Sequence, residues 1–517
     1  MIIVLDFGGQ YCHLIARRIR ELGVYSEILP YNVDIKVIKG KKPDGIILSG
    51  GPSSVYEENS PKLDQNLLKY IINEKIPMLG ICYGFHLIIS QLGKKIAPRE
   101  NKEYGKTQLK INQYNILFDN LEENQIVWMS HGDQVVDLPE GFKSIAKTVN
   151  CPIAAYANEQ KNLYGVQFHP EVTNTPNGMV ILKNFVYTIA KSKKEWELKN
   201  WIKKSIDNIR TQVGVNDRVV LGLSGGIDSS VTAVLLHKAI GDRLHCIFVN
   251  NGVLRKNEER YVQNLFREKL KFKYFHYVDA VEIFLNKLSG VIDPEEKRRI
   301  IGHTFVEIFE SKTLELEEEF PNIKFLAQGT IYPDRVETAS TSNSAAKIKS
   351  HHNVTLPEGM MLELIEPLKE LYKDEVRKIG VELGLSEDMV SRHPFPGPGL
   401  AVRCIGPISK EKLDILREAD QILLEEIREA KLYKTLWQVF CVLLPVKTVG
   451  VMGDFRTYEY ICSIRAVESI DAMTANFAKL DWDLLEKIGT RIINEVKGFN
   501  RVVYDISNKP PSTIEYE

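Results

Sequence analysis

The sequence predicts an α/β protein: two parallel-sheet α/β domains followed by a smaller α+β C-terminal domain. Three observations predict this. Short apolar runs rich in β-formers end in turns and are each followed by a longer helical pattern. That rhythm restarts in the middle of the chain, at Arg218. It then fades at the run His393-Pro-Phe-Pro-Gly-Pro-Gly399, after which helical and strand segments mix.

Taken in order, Ile2 to Phe7 leads through Gly8-Gly9 into an amphipathic stretch from Leu14 to Leu22. Gly45 to Leu48 runs into Ser49-Gly50-Gly51-Pro52, and Ile76 to Ile81 runs into Cys82. Parallel strands joined by crossover helices place ligands at the strand C-terminal ends. A helical pattern from Gly178 to about Ala190 is followed by the charged stretch Lys191 to Glu195, which puts a domain boundary near residue 196. Strands are expected at Arg218–Leu223, Leu244–Val249 and Lys324–Ala327. The proline spacing at 393–399 sustains neither a helix nor a central strand and reads as a linker or rigid binding loop. The expected domains are therefore 1–196, 197–392 and 393–517.

A chain of 517 residues is too long for one ordinary core. Its 26% charged and 44% hydrophobic residues are ordinary for a folded globular protein. The net charge of −1 argues against a non-specific nucleic-acid or membrane surface, so neither is expected as a partner. The seven cysteines (Cys12, Cys82, Cys151, Cys246, Cys404, Cys441, Cys462) include no Cys-x-x-Cys pair. That argues against a disulfide scaffold and for a reducing compartment. The opening Met-Ile-Ile-Val-Leu-Asp-Phe-Gly lacks a basic signal-peptide start, and no run of ~18 apolar residues occurs. A cytoplasmic location is expected.

Two segments carry chemistry. Gly80-Ile81-Cys82-Tyr83-Gly84 sits between an apolar run and a helical one, the pattern of a nucleophile on a strand-to-helix turn. A helix N-terminus there lowers a thiol's pKa and supplies amide donors to an oxyanion. A buried structural cysteine is the commoner fate of such a residue, and His169 in isolation reads as an exposed loop residue. Together they read differently. Val166-Gln167-Phe168-His169-Pro170-Glu171 ends another strand candidate, where period two would put His169 and Glu171 on one side. Glu171 could then orient an imidazole that activates the thiol.

The second segment is Leu221-Gly-Leu-Ser224-Gly225-Gly226-Ile227-Asp228-Ser229-Ser230, which completes a strand and opens a helix. Small residues let backbone amides approach phosphates, and Asp228 can hold Mg2+. It is not a Walker A loop, and Gly105-Lys106-Thr107 is a decoy because Glu100 stands where the first glycine is required.

The first ~195 residues resemble class I glutamine amidotransferases, through Gly80–Gly84, His169-Pro-Glu171, Ser49–Pro52 and Met129-Ser-His-Gly-Asp133. The resemblance implies Cys82 as nucleophile, His169 as base, Glu171 as its orienter, and an oxyanion hole from the backbone of Gly51 and Tyr83. It also expects glutamine four residues after the cysteine, where this chain has His86. The Ser224–Ser230 loop resembles that of the N-type ATP pyrophosphatases, which cleave ATP to AMP and pyrophosphate. Lys349-Ser-His-His352 and Lys373-Asp-Glu-Val-Arg377 match further segments, implying Lys349 and Lys373 near phosphates. Sulfur-inserting relatives need a reactive cysteine pair near the loop, and none is present.

Over essentially its whole length the chain resembles the glutamine-hydrolysing GMP synthases. Asp293 to Gly302, Ala327-Gln-Gly-Thr330, Arg392 to Gly399, Gly450 to Asp454 and Tyr504 to Glu515 all match. The resemblance implies glutamine, ATP and xanthosine monophosphate as substrates and a homodimer formed through the C-terminal unit. Arg298, Lys509 and Glu515 are the expected contacts to the purine nucleotide. The competing readings are another ligase with the same two modules, an RNA-modifying pyrophosphatase, or a non-catalytic nucleotide-binding regulator.

Overall fold

The computed structural model describes residues 1–334, 362–469 and 474–517. These fall into two compact units, Met1–Trp201 and Ile202–Glu517.

In the first unit, β1 (Ile2–Asp6), β2 (Ser26–Pro30), β3 (Gly45–Leu48), β4 (Met78–Ile81) and β9 (Leu163–Val166) pair in parallel, in the order β2-β1-β3-β4-β9. The strands are apolar on both faces, as helices on each side require, and Ile3, Leu5, Ile46, Leu48 and Met78 enter one core with Phe85 and Leu67. Beyond β9 the sheet continues antiparallel through β8 (Ala155–Asn158), β7 (Lys143–Lys147), β5 (Ile96–Ile111) and β6 (Asn124–Val135). The alternating burial of β6 marks a strand with one wet face. Gly105-Lys106-Thr107 lies within β5 and is not a phosphate loop.

The second unit holds two sheets. β10 (Arg218–Gly222), β11 (Leu244–Asn250), β12 (Phe275–Asp279), β13 (Ile323–Ala327) and β14 (Glu363–Ile365) form a parallel sheet in the order β12-β11-β10-β13-β14. β10 is central, so its C-terminal end opens at the middle of the sheet, where open α/β sheets bind ligands. The other sheet pairs the long strands β15 (Gln438–Met452) and β16 (Phe455–Glu468) antiparallel. Two further strands, β17 (Asn476–Phe477) and β18 (Phe499–Tyr504), also pair with β16. The helices Lys410–Glu429 and Trp482–Glu495 cover this sheet, and one continuous core joins it to the parallel sheet through Val220, Leu326, Leu416, Leu423, Val439 and Ile488. The Pro/Gly run at 393–399 is a packed segment: His393 is buried and stacks on Tyr433, and Leu400 to Arg403 are fully buried. Among the described residues no helix is long and apolar enough to cross a membrane.

Candidate active sites

β4 delivers Cys82 to the N-terminus of the helix Tyr83–Gln91. The turn is tight: a Cβ on Gly80 would lie 2.4 Å from Gly84 O, and one on Gly84 would lie 2.5 Å from Leu48 O, so only glycine fits at either place. Cys82 itself has φ +52° and ψ −100°, a region costing a non-glycine residue about 1–3 kcal/mol. The packing enforces it, since Cys82 N–H donates to Val166 O (3.0 Å) and Gly84 N–H to Ser49 O (3.1 Å). Among the described residues, neither the Gly51 nor the Tyr83 N–H has a hydrogen-bond acceptor. Both therefore remain available to an oxyanion.

His169 and Glu171 reach this point differently from the sequence expectation. β9 ends at Val166, and residues 167–171 form bends and turns, so a strand's period two does not align them. A turn through Pro170 does, with His169 Nδ1 2.7 Å from Glu171 Oε1. The His169 backbone is held at both ends: its N–H donates to Trp128 O, and its carbonyl accepts from the Thr175 hydroxyl at 2.6 Å. The imidazole lies edge-on to Tyr11 and against Gly50, which also borders Cys82. Burial alone would depress its pKa; the Glu171 carboxylate and the Cys82 contact override burial and raise it from 6.5 to about 10.

His86 is buried one helical turn from Cys82, with Nε2 2.6 Å from Gln167 Oε1. Burial, and next the neighbouring His131, push its pKa down to about 4, so it is a neutral polar group at physiological pH. Sequence reasoning assigned no role to Asp133. Its carboxylate accepts from Ser54 Oγ (2.5 Å) and Tyr56 Oη (2.9 Å), tying β6 to the segment that follows Gly51. The Cys82 thiol faces Ser130 O on the same strand at 3.6 Å.

In the second unit, the loop from Ser224 to Gly226 joins β10 to the helix Ile227–Ile240. Gly225 adopts φ +76°, and Gly226 is the N-cap in an extended conformation. Hydroxyls brace the loop: Ser224 Oγ and Ser229 Oγ lie 3.0 Å apart, and Ser230 Oγ donates to Gly226 O at 2.8 Å. Arg392 adds a bond to Gly225 O at 3.2 Å and pairs with Glu258. Asp228 Oδ2 accepts from Lys373, whereas Asp228 Oδ1 is buried with no hydrogen-bond partner. A buried carboxylate oxygen without a donor beside a phosphate-type loop fits a hard cation such as Mg2+. Lys349 lies outside the described residues.

The three expected nucleotide contacts occupy separate settings. Arg298 pairs with Glu295 on the helix Pro294–Glu319, and Lys509 is bridged through its backbone to Ala475. Glu515 is already engaged, with both oxygens held by Arg403 (2.8 and 3.1 Å) and one also by Gln438. Two buried cations that the sequence did not single out anchor the C-terminal segment: Arg403 through Glu515, and Lys297 through Glu517, Ala401 O and Cys404 O.

Comparison with known proteins agrees with this arrangement. The family described as class-I glutamine amidotransferase matches residues 3–189, NAD synthase matches 196–298, and the GMP synthase C-terminal domain matches 425–516. A GMP synthase [glutamine-hydrolyzing] of Brachyspira hyodysenteriae is 55% identical over 517 residues, covering 100% of this chain and 99% of the relative. The chain belongs to the glutamine-hydrolysing GMP synthase family. Members from Carboxydothermus hydrogenoformans (56%) and Aquifex aeolicus (53%) align with the same coverage, 100% of this chain and 99% of each relative. Within the GMP synthase family frame, the Cys82 turn falls in the amidotransferase match and the Ser224–Ser230 loop in the NAD synthase match.

Proposed function

We propose that this enzyme aminates xanthosine monophosphate to GMP, with glutamine as nitrogen donor and ATP cleaved to AMP and pyrophosphate. The observation that carries the reading is the presence, in one chain of this family, of a strained cysteine and a Glu-held histidine that both border Gly50, and of a serine-braced loop at the central strand's end. We assign three domains: 1–196 to the glutaminase, 197–392 to ATP cleavage and 393–517 to nucleotide binding and dimerisation.

In the glutaminase, Glu171 holds His169 in a state that draws the thiol proton onto the imidazole. The Cys82 thiolate attacks the glutamine carboxamide carbon, and the Gly51 and Tyr83 N–H groups receive the oxyanion. His169 then gives its proton to the departing ammonia, and water hydrolyses the thioester. In the ligase, the backbone amides of Ser224 to Ser230 and Lys373 hold the ATP phosphates, with Lys349 as a further candidate. The nucleotide's C2 oxygen attacks the α-phosphorus and pyrophosphate leaves; ammonia then attacks C2 and AMP leaves. Asp228 would hold Mg2+, which when bound neutralises the pyrophosphate charge. Arg298, Lys509 and Glu515 are assigned to the nucleotide; for Glu515 this requires partial release from Arg403.

A homodimer is supported by the exposed apolar side chains Val446, Val449, Val451, Phe455 and Tyr458 along β15 and β16. A monomer mass by sedimentation at micromolar concentration would remove this part of the reading. A cytoplasmic location completes the proposal and is tested by cell fractionation. For the ligase, Asp228→Asn should abolish Mg2+-dependent pyrophosphate release from ATP and xanthosine monophosphate; undiminished release would refute the role given to the loop.

A further inference from the structure

Behind the strand that faces the nucleophile lies a second cluster of ligating side chains, separate from Cys82, His169 and Glu171. Glu103 on β5, His131 on β6 and Cys151 in the β7–β8 connection are all buried, and one ligand atom from each lies within 4.8 Å of the others. Among the described residues this is the one such group of histidine, cysteine and carboxylate side chains.

Its hydrogen bonds impose a constraint. His131 Nδ1 lies 2.8 Å from Asp133 O, an atom that can only accept, so Nδ1 carries a hydrogen. In the neutral ring Nε2 is then a lone pair, and it points at Glu103 Oε2 from 3.2 Å. Two lone pairs at that distance need something positive between them, either a proton or a metal ion.

The surroundings are those of a metal site. A ligating histidine ordinarily donates its other N–H to a backbone carbonyl, and a ligating carboxylate is itself hydrogen-bonded. Here Asp133 O takes the Nδ1 hydrogen, and Thr148 Oγ1 donates to Glu103 Oε1 at 2.7 Å. Zinc–ligand bonds of about 2.0–2.3 Å put neighbouring tetrahedral ligands ~3.3–3.8 Å apart; here the three ligand atoms lie within 4.8 Å of one another, with Nε2 and Oε2 3.2 Å apart. Gln134 donates from Nε2 to Asn150 O at 2.8 Å beside the same loop, and its Oε1 is buried without a partner.

We propose that Glu103, His131 and Cys151 bind a divalent transition-metal ion of zinc type, with Gln134 Oε1 as the fourth ligand. The ion joins β5 and β6 to the β7–β8 connection and so braces the wall carrying Ser130 and Asp133. Binding exchanges the Cys151 Sγ–H bond to Ile153 O (3.3 Å) for a sulfur–metal bond, and the thiol proton goes to solvent.

The test uses the full-length chain carrying Cys82→Ser, so that the nucleophile supplies no thiolate. After chelator treatment it is titrated with Co2+ alone while thiolate-to-cobalt charge transfer is followed in the near ultraviolet. One equivalent per chain is expected, with the band lost on adding Cys151→Ser. Thr148→Val, which keeps every ligand and guards against a misfolded cysteine variant, should weaken Co2+ binding about 10–100-fold. Absence of the band, its survival in Cys151→Ser, or unchanged affinity in Thr148→Val each overturns the proposal; the lone pairs would then be reconciled by a proton.

Discussion

Cys82 holds its left-handed conformation because Gly80 and Gly84 let the backbone close beneath it, and Glu171 sets the charge of the imidazole beside it. Removing that carboxylate's charge while keeping its shape should isolate this effect. In Glu171→Gln the glutaminase rate is expected to fall roughly 10²–10⁴-fold, the usual worth of a positioned acid–base group. Synthesis from ammonium should be unaffected; steady-state rates with each nitrogen source check both statements. Cys82 and His169 were legible in the sequence because each sits where an apolar run breaks. The means of pairing His169 with Glu171 was not, since a strand ending at Val166 and a turn at Pro170 give the same neighbours as an extended strand. The nucleotide contacts were harder to read. Glu515 is a terminal acid in the sequence, and only packing reveals that the buried Arg403 and Gln438 already occupy it.

At the level of elements, the loop after Gly51 is held from another part of the sheet. Asp133 on β6 bonds Ser54 and Tyr56 across 79 and 77 residues, a separation no local pattern reports. Asp133→Asn keeps the shape but loses charge-assisted hydrogen bonds, which contribute about 1.5–3 kcal/mol each. Glutamine-driven turnover should drop roughly tenfold or more while ammonium-driven turnover holds. Equal loss of both would mean that the contact serves general stability and not the oxyanion loop. The strands themselves were readable: Gly45–Leu48 matches its expected bounds, and the expected start of β10 and end of β13 are those observed. Continuous apolar runs announce two-sided burial. The antiparallel extension from β8 to β6 was not anticipated, because its alternating strands lack that signal and depend on pairing partners far along the chain.

For the whole molecule, acid is a predictable weakness. His245 and His276 lie on adjacent strands of the second unit, with Nδ1 and Nε2 3.1 Å apart. Burial, then His276 and Arg218, push His245 to about 3; burial and Lys312 push His276 to about 4. Both folded values lie below the ordinary 6.5, so the unfolded chain takes up protons first as pH falls. Their stabilising effect is complete above about pH 6.5 and is lost as pH drops towards 4. Thermal unfolding should show Tm declining across that window, and imidazole NMR signals of both residues should fail to titrate above about pH 5. Titration near 6.5 would refute the neutral pair.

The claim that joins these scales is that nitrogen is released at Cys82 and consumed at a separate ATP-dependent site. Its most direct measurement is GMP formation from xanthosine monophosphate, ATP and Mg2+ by Cys82→Ala, supplied in parallel with glutamine and with ammonium. Glutamine should support no synthesis, and ammonium should support the rate of the unsubstituted chain with AMP and pyrophosphate formed alongside. Loss of both activities in a folded variant would contradict the two-site division, as would undiminished synthesis from glutamine.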